Sequence, residues 1–501
     1  SQRSLSGFMD IFGEVLSGRI QMNYKIPQVK GLSVKGTLTY LSENRQTKDL
    51  NKRMPVYEYD NATQEPFAVG QAGADTIEES LYQFKRVYPT VSISYENTFG
   101  DHDIKGLLLT ETIDEETINF NASRRDLLSS DLPFLNLGSD LGIQNSGNAF
   151  EFGRSSVVGR VNYGYKNKYF LESSFRYDAS SNFAEESRWG FFPSISAAWR
   201  LSEEDFLKDV DFVNSLKVRM SLSKTGRDDV GFYRYLEAFA IQESTSIYDS
   251  GPYLFTNSGL SPSISTTGLA NPNVTWRELT TYNFGVDAQL FDGLLGVELD
   301  IFYRDQKGIF ATPLEKFPST FGATLPQTNQ NSTSNRGFDL VLTHKNKIGE
   351  LSYDVAFSMG FARERYEYFP VDRDISAYAK DDTELNDPAF IQRFNLIQLL
   401  NGNWRNRNIG YKTAGIFMSQ DEIDAYPVDQ SLLAGGTGNS SVIPGDIRYM
   451  DLNGDNYIDW RDQAEIGKGG LPDMTYGINL NASYKNFSVS MLFQGATGFN
   501  F

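Results

Sequence analysis

The chain has 501 residues, of which 14% are aromatic and 22% are charged, and it contains no cysteine. Its formal net charge of -18 disfavours a nucleic-acid-binding protein, which needs a basic surface. The lack of cysteine excludes disulfides and thiolate metal sites. No run reaches the roughly 18 consecutive apolar residues of a membrane helix, which argues against a helical membrane protein but not against a strand-built one.

Strand-forming segments recur along the chain. In each, β-branched or aromatic residues alternate with polar ones over about ten residues, which suits a tilted membrane strand. We predict about fourteen such strands, counting one pair around Val91 and Ile104. The apolar positions of the others begin, in chain order, at Ile20, Leu32, Val157, Tyr169, Ile195, Leu216, Tyr282, Val297, Phe338, Tyr353, Tyr476 and Phe487.

The connections between these segments alternate between short turns and long polar stretches. The short ones lie at 99–103, 166–168, 291–293, 345–349 and 485–486. The long ones run roughly over 43–84, 115–153, 225–278, 304–335 and 363–473, with a shorter one near 178–189. The connection at 202–214 is predicted to form a short helix. The strands of a soluble β-sandwich also alternate apolar and polar residues. A sandwich has little reason, however, to keep its long loops at one end, whereas outer-membrane barrels do so.

The two faces of the predicted strands differ in chemistry. The apolar face must meet lipid, because a charge near the midplane costs about 2–4 kcal/mol. The opposite face would line water, and it carries Arg19, Asn23, Arg160, Asn162, Arg219, Asn283, Asp287, Glu298, Asp300 and Asp339. Aromatic residues at strand ends fit interfacial girdles, or are simply good strand formers, and they include Tyr24, Tyr40, Tyr95, Tyr165, Tyr177, Trp199, Tyr303 and Tyr484.

Several segments resemble the SusC/RagA class of TonB-dependent transporters. They are SVVGRVNYGYKNKYFLESSFRYDAS with WGFFPSISAAWRL, NPNVTWRE leading into TTYNFGVDAQLF, IGYKTAGIFMSQDEIDAYP, PGDIRYMDLNGDNYID, and YGINLNASYKNFSVSMLFQGATG. In this order they cover about the last two-thirds of the chain, and IPQVKGLSVKGTLTY near the start also fits.

The resemblance implies an all-β fold: an antiparallel transmembrane β-barrel of about 22 strands in the outer membrane of a Gram-negative, Bacteroidetes-type bacterium. About fourteen of those strands would lie in residues 1–501, a fragment without plug, TonB-box region or export signal, with 363–473 as a long extracellular loop. It also implies import of glycans, or of peptides, energised through TonB at the missing N-terminal region and assisted by a SusD-like surface lipoprotein. A passive porin-type channel and a surface-binding barrel are the alternatives.

One loop motif matches a calcium-binding spacing. Positions 1, 3, 5, 9 and 12 carry oxygen side chains and position 7 offers a backbone carbonyl, as in loops that wrap a hard cation. Position 6 is Asn456, which tolerates the left-handed conformation. The alternative is an acidic turn that folds without metal. The predicted Ca²⁺ ligands, whose oxygens should converge on one centre, are Asp451, Asn453, Asp455, Tyr457, Asp459 and Asp462.

Enzymatic chemistry has little support in the sequence. The two histidines, His102 and His344, lie far apart beside short turns, and the carboxylates are too dispersed to nominate an acid–base pair. We therefore predict a transporter that contacts outer-membrane lipid and no nucleic acid, and not an enzyme.

Ser419 to Glu422 reads as a capping box that opens a short helix through Ala425.

Overall fold

The computed structural model describes residues 6–60, 63, 65–208, 210–242, 253–256, 259–261, 263–266, 268–312, 325–368, 402–434, 437–459 and 462–500. Strands dominate this part of the chain. In chain order they are β1 (Gly7–Lys25), β2 (Leu32–Asn51), β3 (Met54–Asp60), β4 (Glu65–Ala72), β5 (Thr76–Phe99), β6 (His102–Arg125), β7 (Gln144–Tyr165), β8 (Tyr169–Ser180), β9 (Trp189–Arg200), β10 (Val213–Arg227), β11 (Phe239–Gln242), β12 (Tyr253–Thr256), β13 (Gly259–Ser261), β14 (Ser263–Thr266), β15 (Arg277–Leu290), β16 (Leu295–Ala311), β17 (Thr328–Ile348), β18 (Leu351–Tyr368), β19 (Arg407–Tyr411), β20 (Thr413–Ile416), β21 (Ile447–Tyr449), β22 (Gln463–Lys468), β23 (Met474–Tyr484) and β24 (Phe487–Thr497).

One antiparallel sheet of 14 strands forms the body of the protein, which confirms the predicted strand number and class. Its order is β1, β2, β5 to β10, β15 to β18, β23 and β24, so each strand lies beside the next one of the sheet in sequence. Within the described residues, β1 pairs with β2 and β24 pairs with β23, and the two do not pair with each other. The sheet therefore has two open edges, as expected for part of a barrel.

The strands of the first third of the sheet are longer than predicted. β5 and β6 have 24 residues each and β7 has 22, against the roughly 9–11 that a bilayer requires. Residues 43–51, 76–84 and 115–125, for which the sequence predicts loops, are strand. Polar and charged residues dominate these segments, so their period-two alternation is weak, although Leu50 and Ile77 are buried in a small core with Leu127. Likewise β18 continues to Tyr368, past the predicted loop start at 363.

The shorter elements lie in the long connections and in one turn. Five two-stranded sheets pair β3 with β4, β11 with β14, β12 with β13, β19 with β22, and β20 with β21. The helices are α1 (Asp205–Lys208), α2 (Gln420–Asp424) and α3 (Ser431–Ala434), and 3-10 turns span Leu135–Leu137, Glu185–Ser187 and Leu201–Glu203. α1 confirms the helix predicted within 202–214. No helix of the described ranges has both the length and the apolar character to cross a membrane.

Local chemistry explains the predicted turn and cap. Lys166 and Asn167, both with positive φ, 53° and 56°, are the central residues of the β-turn between β7 and β8, which the Lys168 N–H closes by donating to the Tyr165 carbonyl at 2.9 Å. Ser419 caps α2, its hydroxyl accepting the Glu422 N–H at 3.3 Å, and the Glu422 carboxylate accepts the Met418 N–H at 2.8 Å. The predicted N-cap bond is therefore present, while the reciprocal bond goes to the residue before the cap and not to the Ser419 N–H of a standard capping box.

Candidate lipid-facing wall, lumen and loop sites

The outer face of the sheet exposes its apolar side chains. Met22 is 73% exposed, Met220 57% and Ile301 50%. These residues do not stand singly, because register aligns them with apolar partners on neighbouring strands: Met220 lies opposite Phe284, and Phe284 lies opposite Ile301. A continuous apolar surface of this size is unfavourable in water and favourable in lipid. The face of the sheet that was predicted to be apolar is thus the one that faces lipid.

An aromatic ladder ends this apolar face at the short-turn side of the sheet. Tyr165 stacks on Tyr169 with ring centroids 6.3 Å apart, and Tyr169 stacks on Trp199 at 6.1 Å. His102 lies against Tyr165 at 4.9 Å. The predicted girdle positions Tyr165 and Trp199 therefore belong to one row across four strands, at the level where amphipathic rings meet the membrane surface.

Glu204, in the turn that follows β9, hydrogen-bonds to this aromatic ladder. Its carboxylate accepts the Tyr169 hydroxyl at 2.6 Å and the Trp199 indole N–H at 3.0 Å, and Lys168 Nζ lies 3.5 Å away. These bonds, the one from Tyr169 first, lower the pKa of the Glu204 carboxyl below its ordinary value. A carboxylate thus fixes the start of α1 to the girdle.

The opposite face carries the predicted charges and pairs them. Arg219 of β10 donates two bonds to Asp300 of β16, both at 2.6 Å, and its Nε lies 3.1 Å from Asp287 of β15. The intervening residue on β15 is Gly285, directly opposite both Arg219 and Asp300. A Cβ on Gly285 would lie 2.5 Å from Arg219 Cζ, so the glycine leaves the space that the guanidinium crosses. The sequence did not indicate this role of Gly285.

A groove of about 670 Å³ opens beside this network on the same face. Arg160, Glu172, Lys217 and Arg219 line it together with serine, alanine and asparagine side chains. Charges of both signs on a hydrated wall suit a lumen through which polar solutes pass. Four predicted luminal residues, Arg160, Asn162, Arg219 and Asn283, therefore meet at one surface.

The extracellular segments fold back onto the luminal wall around a small apolar core. Phe183, Val274 and Trp276 are buried there with Phe192 of β9 and Val230. The Trp276 indole donates to the Arg188 carbonyl at 3.0 Å. The NPNVTWRE segment is therefore a packing element, which the sequence alone did not reveal.

Charged side chains form a second anchor near this core. Arg176 donates to Glu111 at 2.8 Å and to Asp178 at 3.2 Å. Asp228 accepts a bond from Arg154 and one from the buried Ser180 hydroxyl at 2.7 Å. Because Asp228 follows β10 while Arg154 and Ser180 lie on β7 and β8, these bonds hold the base of that loop against the wall.

The 451–462 loop closes on itself through its own carboxylates. Asp451 accepts the N–H groups of Gly454 at 2.6 Å and Asn456 at 2.8 Å. Desolvation acts to raise the pKa of Asp451, but these and neighbouring backbone donors outweigh it and hold that pKa below its ordinary value. Asn456 has φ 62°, the left-handed conformation expected at position 6. Asp462, fully buried, accepts the N–H groups of Leu452 at 2.8 Å and Asp459 at 2.9 Å.

The loop is also tied to the rest of the extracellular region. Ile458 is fully buried, its N–H donates to the Asp429 carbonyl at 2.8 Å, and the Asp429 N–H donates to the Asn456 carbonyl at 2.9 Å. Among the residues that the structure describes, no group of three or more His, Asp or Glu side chains is arranged to hold a metal ion. The expected convergence of the loop carboxylates is therefore not seen, and calcium binding stays a prediction.

The two-faced antiparallel wall, with lipid-facing rows, a girdle and a charged interior, defines a β-barrel of the outer membrane. A family model described as "TonB dependent receptor-like, beta-barrel" matches residues 17–493. The chain belongs to this family, a family of receptors and not of enzymes.

Curated relatives carry matching names. The chain is 26% identical to TonB-dependent receptor P3 of Formosa agariphila over 478 residues, which cover 94% of this chain and 43% of that protein. It is 28% identical to receptor P26 of the same organism, over 81% of this chain and 38% of that protein. It is 26% identical to TonB-dependent receptor SusC of Bacteroides thetaiotaomicron, over 67% of this chain and 30% of that one. The chain thus spans less than half the length of these relatives.

A solved structure has the same fold. The RagAB peptide transporter superposes with a TM-score of 0.71 at 18% identity, over 98% of this chain and 48% of that chain. The SusC/RagA resemblance inferred from the sequence is thereby confirmed.

Proposed function

We propose that the full-length protein is an active importer of glycans or peptides, driven through TonB. The observation that carries this proposal is the family match over residues 17–493. The RagAB structure is described as a peptide transporter, which supports peptides as one substrate class. The resemblance of the sequence to the SusC/RagA class supports glycans as the other.

A SusD-like lipoprotein at the cell surface is part of the same proposal. Such a partner needs a defined platform, and the described extracellular residues offer one. Phe417, Ile423 and Val442 form a buried core there, and Tyr426 packs against it. An ordered loop region of this kind supports a docking role more readily than a purely flexible loop would.

The transport experiment compares cells that carry the full-length protein with and without TonB. Oligosaccharide pools and peptide pools serve in turn as the sole carbon source at low concentration. We expect growth on one pool, dependent on both the protein and TonB, while growth on glucose stays unchanged in all strains. Uptake that persists without TonB would identify a passive channel instead.

We also propose that Ca²⁺ orders the 451–462 loop outside the cell. The spacing of its oxygens and the left-handed Asn456 support this, since both belong to loops that wrap calcium. Asp451, Asn453, Asp455, Asp459 and Asp462, with the Tyr457 carbonyl, would supply the ligands after the carboxylates exchange backbone N–H partners for the ion. Extracellular sites of this class bind with dissociation constants of about 10⁻⁴–10⁻³ M.

Limited proteolysis of the full-length protein tests the calcium site. Millimolar Ca²⁺ should slow cleavage of the loop, a chelator should reverse this, and Asp451→Ala with Asp455→Ala should abolish it. Asp421→Ala with Asp424→Ala on α2 removes the same charge from the same region and should keep the calcium response. A response identical in both double variants would leave only an acidic turn.

A further inference from the structure

The outer face of β17 and β18 changes from apolar to cationic at one level. Phe338 stacks on Phe361 with ring centroids 5.8 Å apart, and the next outward-facing pair in register is Arg336 opposite Arg363. On β18, the apolar outward positions from Tyr353 to Phe361 span about nine residues, the length of a membrane crossing. Both arginines therefore follow directly on the lipid-facing segment, at its long-loop end.

A tryptophan covers these two arginines. Residues 402–405 extend the sheet beside the end of β18, since the Gly402 N–H donates to the Tyr366 carbonyl at 2.8 Å and the Arg405 N–H to the Glu364 carbonyl at 2.9 Å. This pairing sets Trp404 opposite Arg365, on the outward face. The Trp404 ring centroid lies 4.7 Å from Arg336 Cζ and 4.2 Å from Arg363 Cζ.

The charge around Trp404 is mostly positive. Arg363 Nε lies 3.4 Å from Asp473, and Lys468 Nζ lies 2.8 Å from the same carboxylate. Arg365 donates to the Gly402 carbonyl at 2.8 Å, a neutral partner. Arg363 and Lys468 thus share Asp473, and Glu367, a second carboxylate on this face, accepts the Ser334 hydroxyl. Arg336, Arg363 and Arg365 nevertheless cluster here, in a chain whose net charge is -18. Two guanidinium groups side by side repel each other unless an anion or an aromatic face lies between them.

We propose that Arg336, Arg363 and Trp404 form a site for the phosphate group of an anionic lipid in the outer leaflet. Guanidinium groups bind phosphate through paired N–H donors, and tryptophan prefers the headgroup level of a membrane. The stacked Phe338 and Phe361 lie directly below, where acyl chains run. The site faces away from the lumen, so it is separate from any path of an imported substrate. It rests on the membrane location of the wall and not on TonB coupling.

Lipid binding to the purified full-length protein in detergent tests the proposal. The probes are dioleoyl phosphatidic acid, dioleoyl phosphatidylcholine and inorganic phosphate, and the readout is native mass spectrometry of the adducts. We expect phosphatidic acid to bind more tightly than phosphatidylcholine, and inorganic phosphate at equal concentration not to displace it. Each arginine near a membrane surface contributes a fold-change of about five, so Arg336→Gln with Arg363→Gln should weaken phosphatidic acid binding about 25-fold.

The control variant is Arg304→Gln with Arg19→Gln, which removes two arginines from the luminal face and should change lipid affinity less than about twofold. Trp404→Ala and Arg336→Gln as single variants should weaken phosphatidic acid binding less than the double variant does. Heat-dependent gel mobility reports whether each variant is folded. The proposal is overturned if the outward double variant binds phosphatidic acid as the wild type does. Equal binding of the two lipids overturns it as well, and displacement by inorganic phosphate would show a free-phosphate site instead.

Discussion

Apolar side chains lie exposed on the outer wall and buried in the extracellular segments. Met22 and Met220 on the wall are 73% and 57% exposed, whereas Phe183 and Val274 near the loop bases are 0% exposed. The difference follows from the surrounding solvent. Lipid accepts apolar surface, so the wall needs no packing partner, while water forces the loops to build small cores of their own. Composition alone would not separate these two regions, but the period-two alternation of the wall does.

The largest effect is expected in the small apolar core that contains Phe183, Val274 and Trp276. Trp276→Ala removes a side chain that is 5% exposed and packs against Phe183 and Phe192, so we expect a loss of about 3–5 kcal/mol in the stability of that segment. Faster proteolysis of the full-length protein within 178–278 would report it. The matched control is Trp189→Ala, since Trp189 is 49% exposed on the outer wall. Equal proteolysis of both variants would remove the contrast between the two regions.

A charge on the lipid-facing wall should have the next largest effect. Met359→Arg on β18 places a cation among Leu340 and Tyr476, its register partners, and should cost about 2–4 kcal/mol in the free energy of folding into lipid vesicles. Ser358→Arg changes the neighbouring residue, which faces the lumen, and should cost far less. If the two variants fold equally well, the assignment of the faces is wrong.

Much of the wall could be predicted because lipid imposes a strict rule. Alternation placed Ile301 and Leu340 on the apolar face and Arg219 and Asp300 on the other, and the structure confirms each. Strand ends were predicted less well. The β2 extension over 43–51 is mostly polar and shows no period-two alternation, and Leu50 near its end is buried against Ile77 and Leu127, which are distant in sequence.

The sites were less predictable, because they depend on contacts between distant residues. The spacing of 451–462 and the left-handed Asn456 could be inferred locally. That Asp462 would close the loop onto Leu452, and that Trp276 would pack with Phe183, could not. Gly285 carried no signal at all, since its role exists only once Arg219 lies opposite it.

The luminal network gives a smaller and sharper test. Gly285→Ala places a Cβ 2.5 Å from Arg219 Cζ, so the guanidinium must leave Asp300. We expect the free energy of unfolding of the full-length protein to fall by about 1–3 kcal/mol, the range for the loss of a hydrogen bond to a charged group. In an Arg219→Ala background the same change should cost little. Gly36→Ala is the control, since nothing lies within 4 Å of a Cβ there. Additive losses in the double variant would show that the two residues act independently.

The smallest effect concerns Glu204, at the boundary between the girdle and the aqueous turn. Bonds from Tyr169 and Trp199 lower its pKa, so its folded value lies below the ordinary glutamate value of about 4.3. A lowered folded pKa means that the stabilisation is present above that ordinary value and is lost as the pH falls through the folded one. Thermal midpoints of wild type and Glu204→Gln should therefore differ at neutral pH and converge as the pH falls through the folded pKa of Glu204. Glu203→Gln, an exposed neighbour, should follow the wild type throughout. If the thermal midpoints of wild type and Glu204→Gln still differ in acid, the amide disturbs the bonds to Tyr169 and Trp199 through its shape and not through its charge.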